Sequence, residues 1–354
     1  MKTLVKWGVG ALVALLVVAA AGFAWAHVTA NARNHMAVDA KGKDLPVPWP
    51  LTEQEIAAAR AEHQRALAGD APAEGEASDD AQAEGAAPES LGSLGDVDLT
   101  TLAMERAIAR GKHIIHSRAG CVDCHKEDFG GGVIFDNGAM GRWVAPNITK
   151  GKGGVVADYT PADWDRILRH GVRKDGTAAT MPAIDFAYLS DQEISDIIAY
   201  VSSVPSVDRE NPPSTMGPIF KVLMATGGFP ISAEIIDHEK PRPVTPPAAA
   251  VNVEYGKHLA TVCVGCHGMQ LSGGPIPGAD PSWPPAANLT PHDSGLKGWS
   301  EGDFVKAMRE GKRPDGSDIN TVMPWKATAN MTDLELKAIY TYLATLPPLA
   351  KGAR

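Results

Sequence analysis

At 354 residues the chain has room for two or three domains, and 44% hydrophobic content beside 21% charged residues excludes a wholly disordered polypeptide. Its net charge of −9 does not mark an acidic docking surface, because nine acidic residues and no Lys or Arg fall between Asp70 and Asp98 and account for the whole imbalance. The rest is close to neutral, so overall charge does not steer partners, and no nucleic-acid partner is expected.

The first predicted element is a helix at the N-terminus. Lys2 and Lys6 precede an uncharged run from Trp7 to Ala26, long enough to cross a bilayer. Ala24-Trp25-Ala26 also fits the small-x-small pattern of a signal-peptide cleavage site. The run extends past a usual signal core and Arg33 follows it, which favours an uncleaved anchor over residues 1–33. Either reading sends the bulk of the chain across the membrane, with the short positive end on the cytoplasmic side. The expected location is the inner (cytoplasmic) membrane, with the folded domains in the periplasm. Residues 34–99 are expected to be a linker. Its acidic part, rich in Ala, Gly and Pro and without aromatics, predicts a disordered, self-repelling spacer between anchor and first domain.

Two copies of one domain follow, at 100–205 and 251–350. Cys121-Val-Asp-Cys124-His125 recurs as Cys263-Val-Gly-Cys266-His267 at an offset of 142 residues. The copies then share Gly131-Gly132 and Gly273-Gly274, Asn147-Ile148-Thr149 and Asn288-Leu289-Thr290, Asp175-Gly176 and Asp315-Gly316, and Met181-Pro182 and Met323-Pro324. Each copy is predicted mainly α. One helix precedes the motif, and a middle helix begins near Thr160-Pro161 or Ser300. A final helix follows the capping-box patterns Ser190 to Glu193 or Thr332 to Glu335, ending before Pro205 or Pro347. Between the copies, 206–250 is a proline-rich linker with one short apolar helix near Ile219 to Met224. The bland reading is a docked connector; a second membrane contact has little support, since the run is too short to span.

The chain has four cysteines, and all lie in the two C-x-x-C-H motifs. That pattern points to covalent haem c, with thiols Cys121, Cys124, Cys263 and Cys266 on the porphyrin and His125 and His267 on the irons. A four-thiol zinc site, a redox dithiol or a disulfide pair are the rivals, and they leave the histidines and the repeated methionines unexplained. Met181 and Met323 each lie 56 residues after their motif histidine, which marks them as candidate sixth ligands. A lone Met is ordinarily core filler, but two at one spacing from two histidines are not explained that way. His/Met ligation suits electron transfer and raises the reduction potential. His170 and His292 have no counterpart in the other copy and are expected at the surface. His113 and His258 recur before the motif, where a structural or exposed role is expected. Trp143, Trp164, Trp283 and Trp299 are expected to wall the haems from water.

These residues carry a resemblance. The order Cys-x-x-Cys-His, Pro146-Asn147-Ile148-Thr149, Arg173-x-Asp-Gly and Met-Pro resembles class I cytochrome c domains, and within them the cytochrome subunits of membrane-bound alcohol and gluconate dehydrogenases. Arg313-Pro314-Asp315-Gly316 and Met323-Pro324-Trp325 carry it in the second copy. The resemblance covers about two thirds of the chain. Those subunits usually hold three haem domains, whereas two are present here; their anchor is often placed differently, and the acidic spacer is not shared. In small c-type cytochromes a proline carbonyl often accepts the haem-histidine N–H. Pro146 matches in the first copy, while Ala287 stands in the aligned place of the second.

The resemblance implies two tandem class I cytochrome c-like domains behind one N-terminal transmembrane helix. It implies two covalent haem c groups, no catalytic residues, and electron transfer from a membrane-associated donor to a periplasmic or membrane acceptor such as an oxidase, a reaction centre or a soluble cytochrome. A dedicated electron-transfer subunit of a membrane-bound dehydrogenase is the alternative. A long flexible spacer favours a tethered wire over that subunit. A dihaem peroxidase is the competing enzyme class, and two matched Met-Pro loops argue against the open haem it needs.

Overall fold

The computed structural model describes residues 2–67, 98–280 and 282–353. Helix α1 (Lys2–Asn34) opens the chain, and α2 (Glu53–Leu67) follows after an extended stretch. Most of the acidic segment, 70–97, lies outside the described residues. Its last acid, Asp98, is described, and it is a helix cap rather than part of a spacer. Its carboxylate accepts from the Thr100 and Thr101 amides at 2.9 and 3.3 Å and so satisfies two orphan donors.

The first domain runs from α3 (Leu99–Ile114) through a π-helical turn (Ile115–Ala119) into α4 (Cys121–His125). An antiparallel hairpin, β1 (Gly132–Asn137) with β2 (Gly141–Ala145), is extended by β3 (Thr215–Met216). Then come α5 (Pro161–His170) and α6 (Asp191–Ser203). The connector holds α7 (Pro218–Thr226) and α8 (Ser232–Ile235). The second domain repeats the order, with no hairpin among its described residues: α9 (Val253–Leu259), α10 (Val264–His267), α11 (Glu301–Glu310), α12 (Trp325–Thr328) and α13 (Asp333–Ala344).

The same local chemistry sets the middle and final helices in both domains. Thr160 with Asp163, Ser190 with Glu193, Ser300 with Asp303 and Thr332 with Glu335 all form reciprocal capping boxes. In each domain the helix before the motif crosses the final helix at a glycine. A Cβ on Gly111 would stand 2.0 Å from the Asp196 carbonyl oxygen, and one on Gly256 would stand 1.9 Å from that of Ala338. Only glycine permits backbones to cross this closely. Around the crossings lie two apolar cores. One holds Ile115, Phe129, Trp164, Leu189 and Ile194; the other holds Leu259, Phe304, Leu336 and Leu343.

The expected linker over 34–99 does not hold for residues 35–67. Val38 donates to the Gly176 carbonyl at 3.0 Å, Ala178 to that of Met36 at 2.9 Å, and the Lys43 amide to Asp165 at 2.7 Å. Leu45 is buried in the first core. Leu51 packs with Leu99 and Ala103, while Glu55 pairs with Arg106 and Arg110 at 3.3 and 3.4 Å. The anchor is therefore joined to the first domain ahead of the acidic stretch, and both flanks of that stretch pack together through α2 and α3. The acidic stretch is thus not interposed between α1 and the first domain.

Candidate haem-binding sites

Both motifs fold as one short helical turn, α4 and α10, which brings the two thiols of each pair onto one side. Chain reversal follows at once: Lys126 (φ 67°) and Gly268 (φ 79°) occupy matching positions. Cys121 borders the first apolar core and Cys263 the second. Burial, with the partner cysteine of each pair, pushes both thiols up to about 12, so each sits protonated against hydrocarbon. Burial likewise lowers the basicity of His125.

Each motif histidine is oriented by a backbone carbonyl. His125 Nδ1 donates to the Pro146 oxygen at 3.0 Å, and His267 Nδ1 to that of Ala287 at 2.7 Å. A carbonyl only accepts, so Nδ1 carries the proton and Nε2 the lone pair, the tautomer a metal ligand needs. Glycine makes the approach possible. Gly131 and Gly273 donate to the carbonyls of His125 and His267, both at 2.9 Å. Their φ angles are 67° and 72°, and a Cβ there would lie 2.3 Å from the Ala145 or Ala287 oxygen.

The Asn-x-Thr repeats fasten these carbonyl strands. Asn147 Nδ2 donates to the Val207 oxygen at 2.6 Å and Asn288 Nδ2 to that of Leu349 at 2.7 Å, in the chain leaving each final helix. Thr149 and Thr290 each bond to the asparagine Oδ1 at 2.8 Å.

Met181 and Met323 stand in matching turns. Ala183 donates to the Met181 oxygen and Trp325 to that of Met323, both at 2.8 Å. The intervening prolines have φ/ψ of −75°/58° and −77°/51°. This is an inverse γ-turn whose φ the pyrrolidine ring pre-sets. Met181 packs on the first apolar core together with Cys121 and Ile148. Met323 is half-buried and is not among the side chains packed on the second core.

The other aromatic and histidine expectations divide. Trp164 is buried in the first core and Trp299 packs on the second. Trp143 belongs instead to a separate cluster with Phe220 and Phe229, at ring separations of 5.4 and 5.2 Å, and Trp283 is 47% exposed. His170 is not at the surface. It is buried against His238, with Nδ1 atoms 2.9 Å apart and rings stacked, and burial lowers it to about 4. His292 is half-buried and bonds to Ser294 at 3.0 Å.

His113 and His258 join the domains reciprocally. His113 Nε2 reaches Glu335 at 2.8 Å, and His258 Nε2 reaches Glu193 at 2.9 Å, so each histidine meets the capping-box glutamate of the other domain. Arg118 also pairs with Glu193. Burial works against that carboxylate, yet Arg118 and His258 hold it well below its usual range. The same face brings the two motifs to each other's Met loops. Asp185, just after Met181-Pro182, lies against Gly265 inside the second motif, where a Cβ would meet its carboxylate at 2.3 Å. Helix α12, just after Met323-Pro324, packs on Ile115–Ala119 ahead of the first motif. Asn330 donates to the His116 oxygen at 3.0 Å across that contact. Sequence reading missed Glu193, Glu335 and Arg118 as bridging residues. The recurrence of His113 with His258 and of Glu193 with Glu335 was the available signal.

Among the described residues no three His, Cys, Asp or Glu side chains converge, so the thiol pairs are not gathered into one four-thiol site. Paired thiols in apolar surroundings beside a histidine held in one tautomer fit covalent haem c instead.

Comparison with known proteins agrees. The cytochrome c family profile matches residues 108–205 and 253–347. A dihaem cytochrome c-type protein of Cereibacter sphaeroides is 26% identical over 269 residues, 68% of this chain and 86% of the relative. The fructose dehydrogenase cytochrome subunit of Gluconobacter japonicus is 28% identical, covering 70% of this chain and 54% of the relative. The quinone alcohol dehydrogenase cytochrome c subunit of Gluconacetobacter polyoxogenes is 27% identical, over 65% and 54%. The chain thus spans about half the length of those two dehydrogenase subunits. Among the described residues one helix, Gly10–Asn34, is long and apolar enough to cross a membrane. The chain therefore belongs to the cytochrome c family, as a two-domain electron-transfer protein that binds two haem c groups.

Proposed function

We propose that the chain relays electrons between a membrane-associated donor and a periplasmic or membrane acceptor, using its two domains in turn, while α1 holds it in the inner membrane. When bound, each haem c supplies a one-electron iron couple, and His/Met ligation raises its potential. Cys121 and Cys124, and Cys263 and Cys266, would hold the two groups. His125 with Met181, and His267 with Met323, would be the axial ligands. The Pro146 and Ala287 carbonyls orient the histidines, and the flanking apolar cores exclude water. No residue in this arrangement needs to act as acid or base, and the chain is read as a carrier, not as an enzyme.

The observation that carries the relay is the reciprocal contact between each Met loop and the other domain's motif region, which makes the two sites neighbours. Flash reduction of half-oxidised protein tests it. Equilibration between the sites at a rate independent of protein concentration is expected. A rate proportional to concentration would exclude an internal relay, and absence of low-spin haem c absorption bands would exclude the cofactor assignment.

The docked anchor favours the second reading, an electron-transfer subunit of a membrane-bound dehydrogenase, more than a flexible wire does. Two of the relatives above carry such names. Co-purification of a dehydrogenase from detergent-solubilised membranes supports the subunit, and isolation of the cytochrome alone supports the free carrier. Peroxide turnover by the half-reduced protein would instead place it with dihaem peroxidases.

A further inference from the structure

Helix α7 (Pro218–Thr226) has an unusual surface for part of a linker. Its sequence, Pro-Ile-Phe-Lys-Val-Leu-Met-Ala-Thr, carries one charge. A connector helix on a water-exposed surface buries one stripe and turns polar residues outward. Here Phe220 and Met224 are buried, at 6% and 0% exposure, but Ile219 and Val222 face outward at 53% and 44%.

The buried stripe rests on α1. The two helices pack along each other, and Ala30 of α1 shares one cluster with Phe220 and Met224. Ala26 and Ala30 are the buried positions of α1 among its described side chains. Small side chains there let the helices approach closely. Arg33, at the end of α1, donates to the Met224 carbonyl near the end of α7 and pairs with Glu234. Lys221 Nζ lies 6.0 Å from the centre of the Phe23 ring.

Those contacts set the height of α7 along α1, between Phe23 and Arg33. The uncharged run of α1 ends at Ala26, and about 20 helical residues at ~1.5 Å each fill a hydrocarbon core of ~30 Å. The ~15 Å from Phe23 to Arg33 therefore crosses the boundary between acyl chains and headgroups. Trp25 and Val28 of α1 are also outward at this height, 54% and 67% exposed. Phe23 of α1, itself 46% exposed, lies beside Lys221, so the apolar surfaces of the two helices adjoin. Lys221 has the stem length to keep its charge at the headgroup level while its methylenes cover apolar surface.

We propose that α7 is a membrane-interface helix, with Ile219 and Val222 inserted at the headgroup–acyl boundary of the outer leaflet, so that the first domain is seated on the bilayer in one orientation. This rests on the reading of α1 as a membrane anchor. Lipid is the occupant because the exposed face of α7 is continuous with the lipid-facing surface of the span.

The test uses full-length holoprotein in phospholipid nanodiscs, spin-labelled one site at a time through Val222→Cys, Leu15→Cys and Lys297→Cys. Oxygen partitions into lipid and a charged nickel chelate into water. Labels at 15 and 222 are expected to show an oxygen-to-nickel accessibility ratio several-fold above that at 297. If 222 matches 297 while 15 remains lipid-exposed, α7 is in water and the proposal fails with the anchor intact. If 15 itself matches 297, the anchor reading fails first. A label at 222 shielded from both reagents means a protein covers α7, which also overturns the proposal.

Discussion

The two haem domains share one motif order and one set of caps, yet they are enclosed differently. The first is wrapped: Leu45 enters its core from upstream, the hairpin covers one side, and the chain from Val207 to Asn211 is bound to it through Asn147, Arg209 and Asn211. The second is bound in the same way by the chain from Leu349 to Ala353, through Asn288, Ser294 and Ser272, but among the described residues it has neither a hairpin nor an upstream segment in its core. His267 is buried, but Cys266 is exposed and Met269 is 67% exposed. The orientation of each motif histidine thus rests on devices common to both domains: the glycine approach, the carbonyl and the Asn-x-Thr fastener. The wrapping serves a different end, which is to couple the first domain to α1.

The methionines break or sharpen that contrast most strongly. Met181→Ala and Met323→Ala should each abolish the weak near-infrared sulfur-to-iron band of one site. Each should lower one reduction potential by a few tenths of a volt, within the ~0.8 V range that axial ligands span. Stability should separate them. Met181 is half-buried on a core, so its loss costs about 2 kcal/mol, the low end for a core methionine, whereas Met323 packs on no core and its loss costs about 1 kcal/mol. Spectra and denaturant titration of both variants check this. An unchanged near-infrared band in both variants removes the ligand assignment.

The interdomain glutamates come next. Glu193 is buried with Arg118, and Glu193→Gln leaves that guanidinium uncompensated at a cost of about 3–5 kcal/mol. Glu335 faces His113, whose side chain is 36% exposed, so Glu335→Gln should cost about 1 kcal/mol. Because the Glu193 pKa in the folded chain is depressed from 4.5, its contribution is complete above that value and is lost as pH falls below it. The acid limb of the stability profile should therefore flatten in Glu193→Gln. A similar loss in both variants would mean the two contacts are equivalent despite their burial.

What the sequence disclosed follows the range of the forces involved. The repeat, the motifs and the capping boxes act over a few residues, so α5, α6, α11 and α13 were legible from Thr160, Ser190, Ser300 and Thr332. The carbonyl contacts at Pro146 and Ala287 span 21 and 20 residues, and only the resemblance to small c-type cytochromes pointed to them. The docking of residues 35–56 was not, because an extended proline-containing segment buries single side chains such as Leu45 and Leu51 and leaves no periodic pattern. Aromatic type announces burial but not the cluster joined, which is why Trp143 fell in the wrong group. The meeting of His113 with Glu335 and His258 with Glu193 depends on domain docking, which no local signal encodes. The acidic segment was read correctly as charge but placed wrongly as an interposed spacer, since its two flanks meet only in the fold.

The glycines test whether the site geometry is truly common to both domains. Gly131→Ala and Gly273→Ala each force a Cβ to 2.3 Å from a backbone oxygen at positive φ, at a cost of about 2–3 kcal/mol. Both should also release the histidine from its carbonyl and shift the corresponding haem spectrum. Matching effects in the two domains support a shared short-range device. An effect in the first domain alone would show that its wrapping contributes to the site as well.

A further effect concerns the seam between the two domains, where Asp185 meets the second motif. Burial pushes the Asp185 carboxyl, beside Gly265, up to about 7. A carboxyl whose folded pKa is raised above its ordinary 3.8 binds more protons folded than unfolded, so stability falls as pH rises from about 4 to about 7. Asp185→Asn keeps the shape without the charge. It should stabilise the protein near pH 7 and remove that slope. Its counterpart position after the second Met-Pro is Ala327, which has no charge to titrate, so the dependence belongs to one side of the seam only. Thermal unfolding of both forms between pH 5 and 8 measures it, and parallel profiles would mean that Asp185 is solvated in the folded protein.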